Sequence, residues 1–390
     1  MNLKNICLIM SLFIGIQTIN AQNKERIEIG EINSIHSKIL LEDREYWISL
    51  PDSYNDKLKS YKRYPIIVLL DGHIHFKSSV GMLQFMSRAK NGSRQVPEMI
   101  VVGIMNIDRR RDFTPDKVIT KRKNNSGGGD KFIAFLEQEL IPKIENEYRT
   151  IPYRILYGHS LGGLLTTHAY LQENSAFHSF ISIDPSFGTW TDSIMDKKIE
   201  LINEKIFTRS IYIATANWNK RNIRNRDRHV RFYESLNNKC KSKYKGKLEY
   251  FENENHSTVP LPGFYNGISY IFKGYNYSYR NATNRKELVD YFKEISQGLS
   301  YDFSPPEELV NRIGYSKLSS RENEEKMMAI DFFKLNVENY PESYNAYDSL
   351  GEVELEFGFK EKALKSFEKS LELNPNNENA KIMISKIKSK

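Results

Sequence analysis

Cysteine is nearly absent from this 390-residue chain, with Cys7 and Cys240 as the only two. That pair can supply neither a disulfide scaffold nor a cysteine-rich zinc site. Long apolar runs are also missing. Beyond the N-terminus no stretch approaches the roughly 20 apolar residues that a membrane-spanning helix needs. No basic tract stands out: 57 Lys plus Arg face 49 Asp plus Glu, a formal charge of +8 spread along the chain. This is the balance of a solvated surface, not the concentrated footprint of a nucleic-acid binder. Hydrophobic residues at 39% and aromatics at 12% are too abundant for a disordered, mucin-like or collagen-like chain. The length favours two domains or one large domain with an appendage.

The exceptional apolar run, Ile6 to Ile19, follows the charged start Met1-Asn2-Leu3-Lys4-Asn5 and gives way to Asn20-Ala21-Gln22. A short cationic start, a brief apolar stretch and a small boundary residue are the layout of a secretory signal peptide spanning residues 1–21. Cleavage after Ala21 would remove Cys7 and release a periplasmic or secreted chain without a stable membrane span. An uncleaved anchor is the alternative, because Ile19 is not the small residue usual at its place before the cut.

Two strands are expected at Ser37–Leu41 and Glu45–Leu50, around the charged turn Glu42-Asp43-Arg44. Pro65–Leu70 and Met99–Met105 are continuous apolar runs, each followed by a polar loop and a helix-like segment. Runs of this kind alternating with helices are what a parallel sheet covered on both faces requires. A helix over Asp130–Tyr148, with Asp130 as its N-cap, precedes strand Arg154–Tyr157. Helix Leu161–Leu171, strand His178–Ile183, helix Thr191–Ile206 and strand Ser210–Ala216 continue the pattern. Helix Asp227–Asn238, strand Lys247–Glu252 and helix Leu261–Phe272 complete it. The spacing predicts a doubly wound, mostly parallel α/β domain over residues 22–276. After a connector at 277–304, a small all-α region follows over 305–390. There Ala329, Phe333 and Pro341 are matched 34 residues later by Ala363, Phe367 and Pro375. That period resembles tetratricopeptide repeats, with the first copy degenerate at its start; a plain helical hairpin is the simpler alternative. Two copies would lean on the larger domain or on a protein partner.

The sharpest motif is Gly158-His159-Ser160-Leu161-Gly162-Gly163, placed after a strand and before an apolar helix. A serine hydroxyl is a weak nucleophile at neutral pH, so it must be held exposed beside a base, and a tight strand-to-helix turn flanked by glycines does this. The same turn aims the Leu161 N–H at the oxygen that becomes negative during acyl transfer. The base is expected downstream, in a loop after the last sheet strand. His36, His73 and His75 come too early; His159 adjoins the serine and is expected to point away. His168, His178 and His229 fall within regular elements. His256, in the polar loop Asn253-Glu254-Asn255-His256-Ser257, fits.

An acid is expected after strand Ser210–Ala216, where the loop contains no carboxylate before Asp227. Asp227 is therefore the expected acid, although it stands equally well as the N-cap of its helix. Asp184, in Ile183-Asp184-Pro185-Ser186, is the second candidate, and a Ser–His pair without an acid is the third. The backbone N–H of Gly72 or His73, in Leu70-Asp71-Gly72-His73, is the expected second oxyanion donor. Arg111, within Arg109-Arg110-Arg111-Asp112, is a candidate substrate contact set against a structural Arg–Asp pair, and Trp218 is a second candidate substrate contact. Ser126-Gly127-Gly128-Gly129 lacks the lysine of a phosphate loop and is expected as a flexible connector. No metal or cofactor is expected.

With these residues in place, the chain resembles the Putative esterase family that includes esterase D, feruloyl esterases and enterochelin esterases, all α/β hydrolases. Besides the serine motif, Leu69-Leu70-Asp71-Gly72, Val102-Gly103-Ile104, Arg111-Asp112-Phe113-Thr114-Pro115, Gly127-Gly128-Gly129, Asp184-Pro185-Ser186 and Asn255-His256 carry the likeness. The resemblance implies ester hydrolysis with Ser160 as nucleophile and His256 as base, on a small ester such as a siderophore lactone or an acylated sugar. The chain departs from the family after strand Ser210–Ala216, where Asn217-Trp218 replaces a Gly-Glu or Gly-Asp type turn. A catalytically weak platform whose helical repeats recruit a partner is the rival expectation.

Overall fold

The computed structural model describes residues 27–89, 94–117, 126–218, 223–239 and 245–389. The expected signal peptide and Cys240 lie outside the described residues. Eight strands form one sheet: β1 (Glu31–Ser37), β2 (Glu42–Ser49), β3 (Tyr64–Leu69), β4 (Ile100–Ile104), β5 (Thr150–His159), β6 (Ser179–Ile183), β7 (Ser210–Ala216) and β8 (Lys245–Phe251). Their order is β1-β2-β4-β3-β5-β6-β7-β8. β1 and β2 pair antiparallel, as do β2 and β4, and every other pairing is parallel.

Strands β3, β4, β6 and β7 are buried at every position, as both-face coverage demands. Alternate residues feed opposite layers. Ile66, Val68 and Leu70 join Phe132, Phe135, Leu164 and Phe180 in one core, while Ile67 and Leu69 join Phe76, Leu83, Phe264 and Ile268 in the other. Helices α1 (Gly72–Met86), α2 (Arg109–Phe113) and α3 (Gly129–Phe135) come first, and a π-helical turn (Leu136–Leu140) joins α3 to α4 (Ile141–Glu147). They are followed by α5 (Leu161–Leu171), α6 (Asp192–Glu200), α7 (Ile223–Lys239) and α8 (Pro260–Ile271).

The N-terminal strands differ from expectation. Lys38 to Leu41 form a turn, and Glu42-Asp43-Arg44 lie in β2. The cause is distant: the Glu139 carboxylate accepts from the N–H groups of Lys38 (2.9 Å) and Ile39 (3.1 Å), which a strand partner would otherwise take. Asp130 is not a cap either. Gly128 holds that place, and Asp130 pairs with His168 at 2.7 Å.

The segment expected as a connector contains helix α9 (Arg285–Leu299), capped by Asn284, whose side chain accepts from the Glu287 N–H. Five more helices follow: α10 (Glu307–Leu318), α11 (Asn323–Asn339), α12 (Tyr344–Glu356), α13 (Lys360–Leu373) and α14 (Glu378–Lys388). In the α10/α11 and α12/α13 pairs a phenylalanine ring covers a glycine. A Cβ on Gly314 would lie 2.7 Å from the Phe333 ring, and one on Gly351 2.8 Å from the Phe367 ring. This tail is fastened to the sheet domain by Tyr61 donating to Glu307, and by Lys62 and Arg94 on Glu308 at 2.9 and 3.0 Å.

Candidate active site

Strand β5 ends at His159 and α5 begins at Leu161, so Ser160 carries the whole reversal. Its φ of 60° and ψ of −117° lie where L-residues are strained. The turn is held from three sides. The Ser160 N–H donates to Ile183 O, and Ser160 O accepts from the N–H groups of Leu164 and Ser186, each at 2.9 Å. A Cβ on Gly163 would lie 3.0 Å from Ile183 O, so the bare glycine lets this helix start pack tightly against the end of β6.

His256 stands in a loop stiffened by Asn255, whose side-chain oxygen accepts from the Ser257 N–H at 2.8 Å. Its Nε2 lies 3.0 Å from Ser160 Oγ, and its Nδ1 lies 2.6 Å from Asp184 Oδ2. Asp184 follows β6 at φ 40° and is completely buried. Its Oδ1 accepts from the Ala216 N–H at 3.1 Å and its Oδ2 from the Trp218 indole at 2.7 Å. Burial raises this carboxyl's pKa, but the hydrogen bond from His256, the proximity of His229 and the Ala216 N–H outweigh it and hold the group below the ordinary carboxylate range. An ionised carboxylate only accepts, so His256 Nδ1 carries the proton and Nε2 is free to take one from Ser160.

Asp227 is not part of this arrangement. Helix α7 begins at Ile223, which leaves Asp227 exposed within the helix and not at its cap. The carboxylate facing His256 rises from the neighbouring strand end, after β6.

Helices α1 and α5 start side by side. A Cβ on Gly162 would lie 3.4 Å from both Leu70 Cβ and Asp71 Oδ2. A Cβ on Gly72 would lie 2.6 Å from the Gly103 carbonyl carbon, so only glycine fits there. The first-turn N–H groups of each helix, among them Gly72, His73 and Leu161, have no carbonyl partner within their own helix and sit at its positive end. The turn before α1 is fixed by Asp71, at φ 54°, which receives Arg109 through Nε (2.6 Å) and Nη2 (2.8 Å) and Asn106 at 2.5 Å. Burial alone would raise the Asp71 pKa; the Arg109 guanidinium more than reverses this.

Arg111 is turned away from substrate duty. Its Nη2 bonds Glu42 at 2.5 Å and its Nε bonds Asp112 at 2.7 Å, beside a buried Arg44 that reaches the same two carboxylates. Trp218 likewise spends its indole N–H on Asp184. The glycine run is packed on the arginine loop and not a flexible joint: Gly128 N–H donates to Arg111 O (2.9 Å) and Gly127 N–H to Thr114 O (3.0 Å).

Three further side chains border this pair, in places the sequence reading did not give them. Ser186 Oγ lies 3.0 Å from Ser160 Oγ. His159, expected to point away, instead turns inward, its ring centroid 4.5 Å from that of His256. Buried His229 lies 3.9 Å from Asp184 Oδ1. Only Ser186 had a signal, its place in Asp184-Pro185-Ser186. Among the described residues no group of three or more His, Cys, Asp or Glu is placed to hold a metal ion, and no helix is long and apolar enough to cross a membrane.

The profile described as Putative esterase matches residues 37–236. The ferri-bacillibactin esterase BesA of Bacillus subtilis is 30% identical over 152 residues, 35% of this chain and 52% of that protein. The siderophore triacetylfusarinine C esterase of Aspergillus fumigatus is 28% identical over 156 residues, 38% of this chain and 52% of that protein. The chain thus spans about half the length of these curated relatives. Among solved structures, an IroE-like serine hydrolase from Shewanella oneidensis superposes with a TM-score of 0.68 at 25% identity, covering 78% of this chain and 98% of that one. An uncharacterised protein from Capnocytophaga ochracea matches the fold with a TM-score of 0.61 at 18% identity, covering 93% of this chain and 100% of that one.

Proposed function

Because the chain belongs to the Putative esterase family, we propose that it is a serine hydrolase that cleaves a carboxylic ester through an acyl-enzyme. The observation that carries this reading is the unbroken contact from Ser160 Oγ through His256 to Asp184, at 3.0 and 2.6 Å. Ser160 Oγ attacks the ester carbon while His256 Nε2 takes its proton, and Asp184 stabilises the imidazolium. The N–H groups of Leu161 and of Gly72 or His73 receive the oxyanion. Collapse of the tetrahedral species expels the alcohol, which recovers the proton from His256. Water then enters by the same route and releases the acid.

The siderophore esterases among its relatives support a siderophore ester, such as a lactone, as substrate. An acylated sugar is the other class. The N-terminal apolar run supports export, and the recurring glycine–phenylalanine contacts of the tail support a repeat pair. The absence of a carboxylate in the loop after Ser210–Ala216 and the appended repeats favour a non-catalytic platform; the contact of Asp184 with His256 at 2.6 Å supports catalysis instead.

A fluorophosphonate probe should label Ser160, with labelling abolished in Ser160→Ala. A panel of cyclic catecholate, feruloyl, acetyl-sugar and short-chain esters should show turnover fastest on the first. Folded protein that neither labels nor cleaves any of them would refute the reading.

A further inference from the structure

Two rings pack against the His256 imidazole. The Trp218 indole has its centroid 4.6 Å away at an interplanar angle of 39°, and the His159 ring lies 4.5 Å away at 41°. Trp218 also bonds the acid. Its Nε1–H donates at 2.7 Å to Asp184 Oδ2, the oxygen that receives His256 Nδ1–H at 2.6 Å. Trp218 therefore touches both partners of the nucleophilic serine's proton relay. We propose that Trp218 is a positioning residue that locks Asp184 and His256 into one rigid unit, and not a substrate contact. This rests on the serine-hydrolase reading.

The physical case has three parts. First, a carboxylate beyond a strand end is free to rotate unless both oxygens are held. The Ala216 N–H holds Oδ1 at 3.1 Å and Trp218 holds Oδ2. Second, an indole donates a hydrogen bond without a formal charge. A lysine or arginine there would neutralise Asp184 and weaken its grip on the imidazolium, whereas an indole fixes the carboxylate and leaves it charged. Its ring face also favours the cation that forms on His256. Third, the tryptophan is itself anchored to the loop it serves. Asn217 donates its N–H to Glu254 O at 2.7 Å and its side-chain amide to Glu252 O at 2.8 Å. The end of β7 is thus tied to the start of the histidine loop. Among the described residues, the other titratable groups around this unit are His159, on His256, and His229, beyond Asp184.

Three substitutions separate the functions of the side chain. Trp218→Phe keeps a ring and removes the donor, Trp218→Gln keeps a donor and removes the ring, and Trp218→Leu removes both. Esterase kinetics and the NMR titration of His256 are measured on all three and on wild type, with thermal melting to verify folding. The single-feature variants should lose about tenfold in kcat and Trp218→Leu about a hundredfold, with KM within about twofold. The His256 titration should move to higher pH in Trp218→Phe than in wild type, because Asp184 no longer shares its charge with a donor. Trp218→Gln, with a donor but without the ring face that favours the imidazolium, should not show that upward move. A raised KM with unchanged kcat would make Trp218 a substrate contact and overturn the proposal. So would unchanged kcat and an unchanged His256 titration in all three. If wild-type protein takes no fluorophosphonate and cleaves no ester, the hydrolase reading fails, yet the His256 titrations still decide the part played by Trp218.

Discussion

Gly158 passes so close to Gly162 that a Cβ on the former would lie 2.3 Å from the latter's carbonyl oxygen. The bend that presents Ser160 therefore exists only while the strand carries no side chain at that crossing. Gly158→Ala should push strand and helix apart, abolish fluorophosphonate labelling and lower the melting temperature by several degrees. Gly81→Ala is the matched control. Gly81 lies inside α1, and a Cβ added there would meet nothing within 4 Å, so the change should be neutral or stabilise by about 0.5 to 1 kcal/mol.

The two candidate acids make opposite predictions. Asp184→Asn should keep the fold and cut kcat by about a thousandfold to ten-thousandfold, since the amide can hold His256 in the wrong tautomer. Asp227→Asn, on the exposed side of α7, should leave kcat within about twofold. Steady-state kinetics on one ester checks both.

Burial holds several histidines neutral. It is the leading cause that lowers the pKa of His159 to about 3 and of His75 and His178 to about 4. A depressed histidine costs nothing above its unfolded value of 6.5, where both states are neutral. As pH falls below that value the unfolded chain takes up protons that the folded one refuses, so stability drains away until the folded pKa values are reached. Glu308 acts lower down. Lys62 and Arg94 outweigh burial and lower it to about 2, so its stabilisation is present above its unfolded value of 4.5 and is lost as pH falls toward 2. Melting temperature should accordingly fall already between about pH 6.5 and 4.5, and His178→Asn should flatten that part of the curve.

The arginine loop separates in the same way. Arg111→Ala removes the partner of Glu42 and Asp112, so the melting temperature should drop while KM stays within about twofold. Asp112→Ala strips a carboxylate from buried Arg44 and should cost about 3 kcal/mol in denaturant titration.

Ser160 and His256 are legible in the sequence because each is announced locally, one by glycines at a strand-to-helix bend, the other by a polar loop after the last strand. The parallel sheet is legible for the same reason, as β3 and β4 are unbroken apolar runs. Asp184 is not. Adjacent strand ends both open onto polar loops, and nothing in the spacing says which one faces the imidazole. The indole of Trp218 reads as a substrate wall because a hydrogen bond to a residue on another strand leaves no pattern. The turn at Lys38–Leu41 is set by Glu139, about a hundred positions away, and is equally invisible. Helix α9 is different. Leu288, Phe292 and Leu299 stand at helical spacing behind Asn284, a signal hidden only by the charged residues between them.

The carboxylate and the hydroxyl leave adjacent strands whose ladder pairs Gly158 with Ser182 and His159 with Ile183. Their separation is therefore set by sheet register, the most rigid ruler a fold possesses. Insertions or deletions in the segments above the sheet can recut the mouth of the site without altering that distance. Such a layout lets a lineage of these proteins change what it admits while keeping its chemical apparatus in tune.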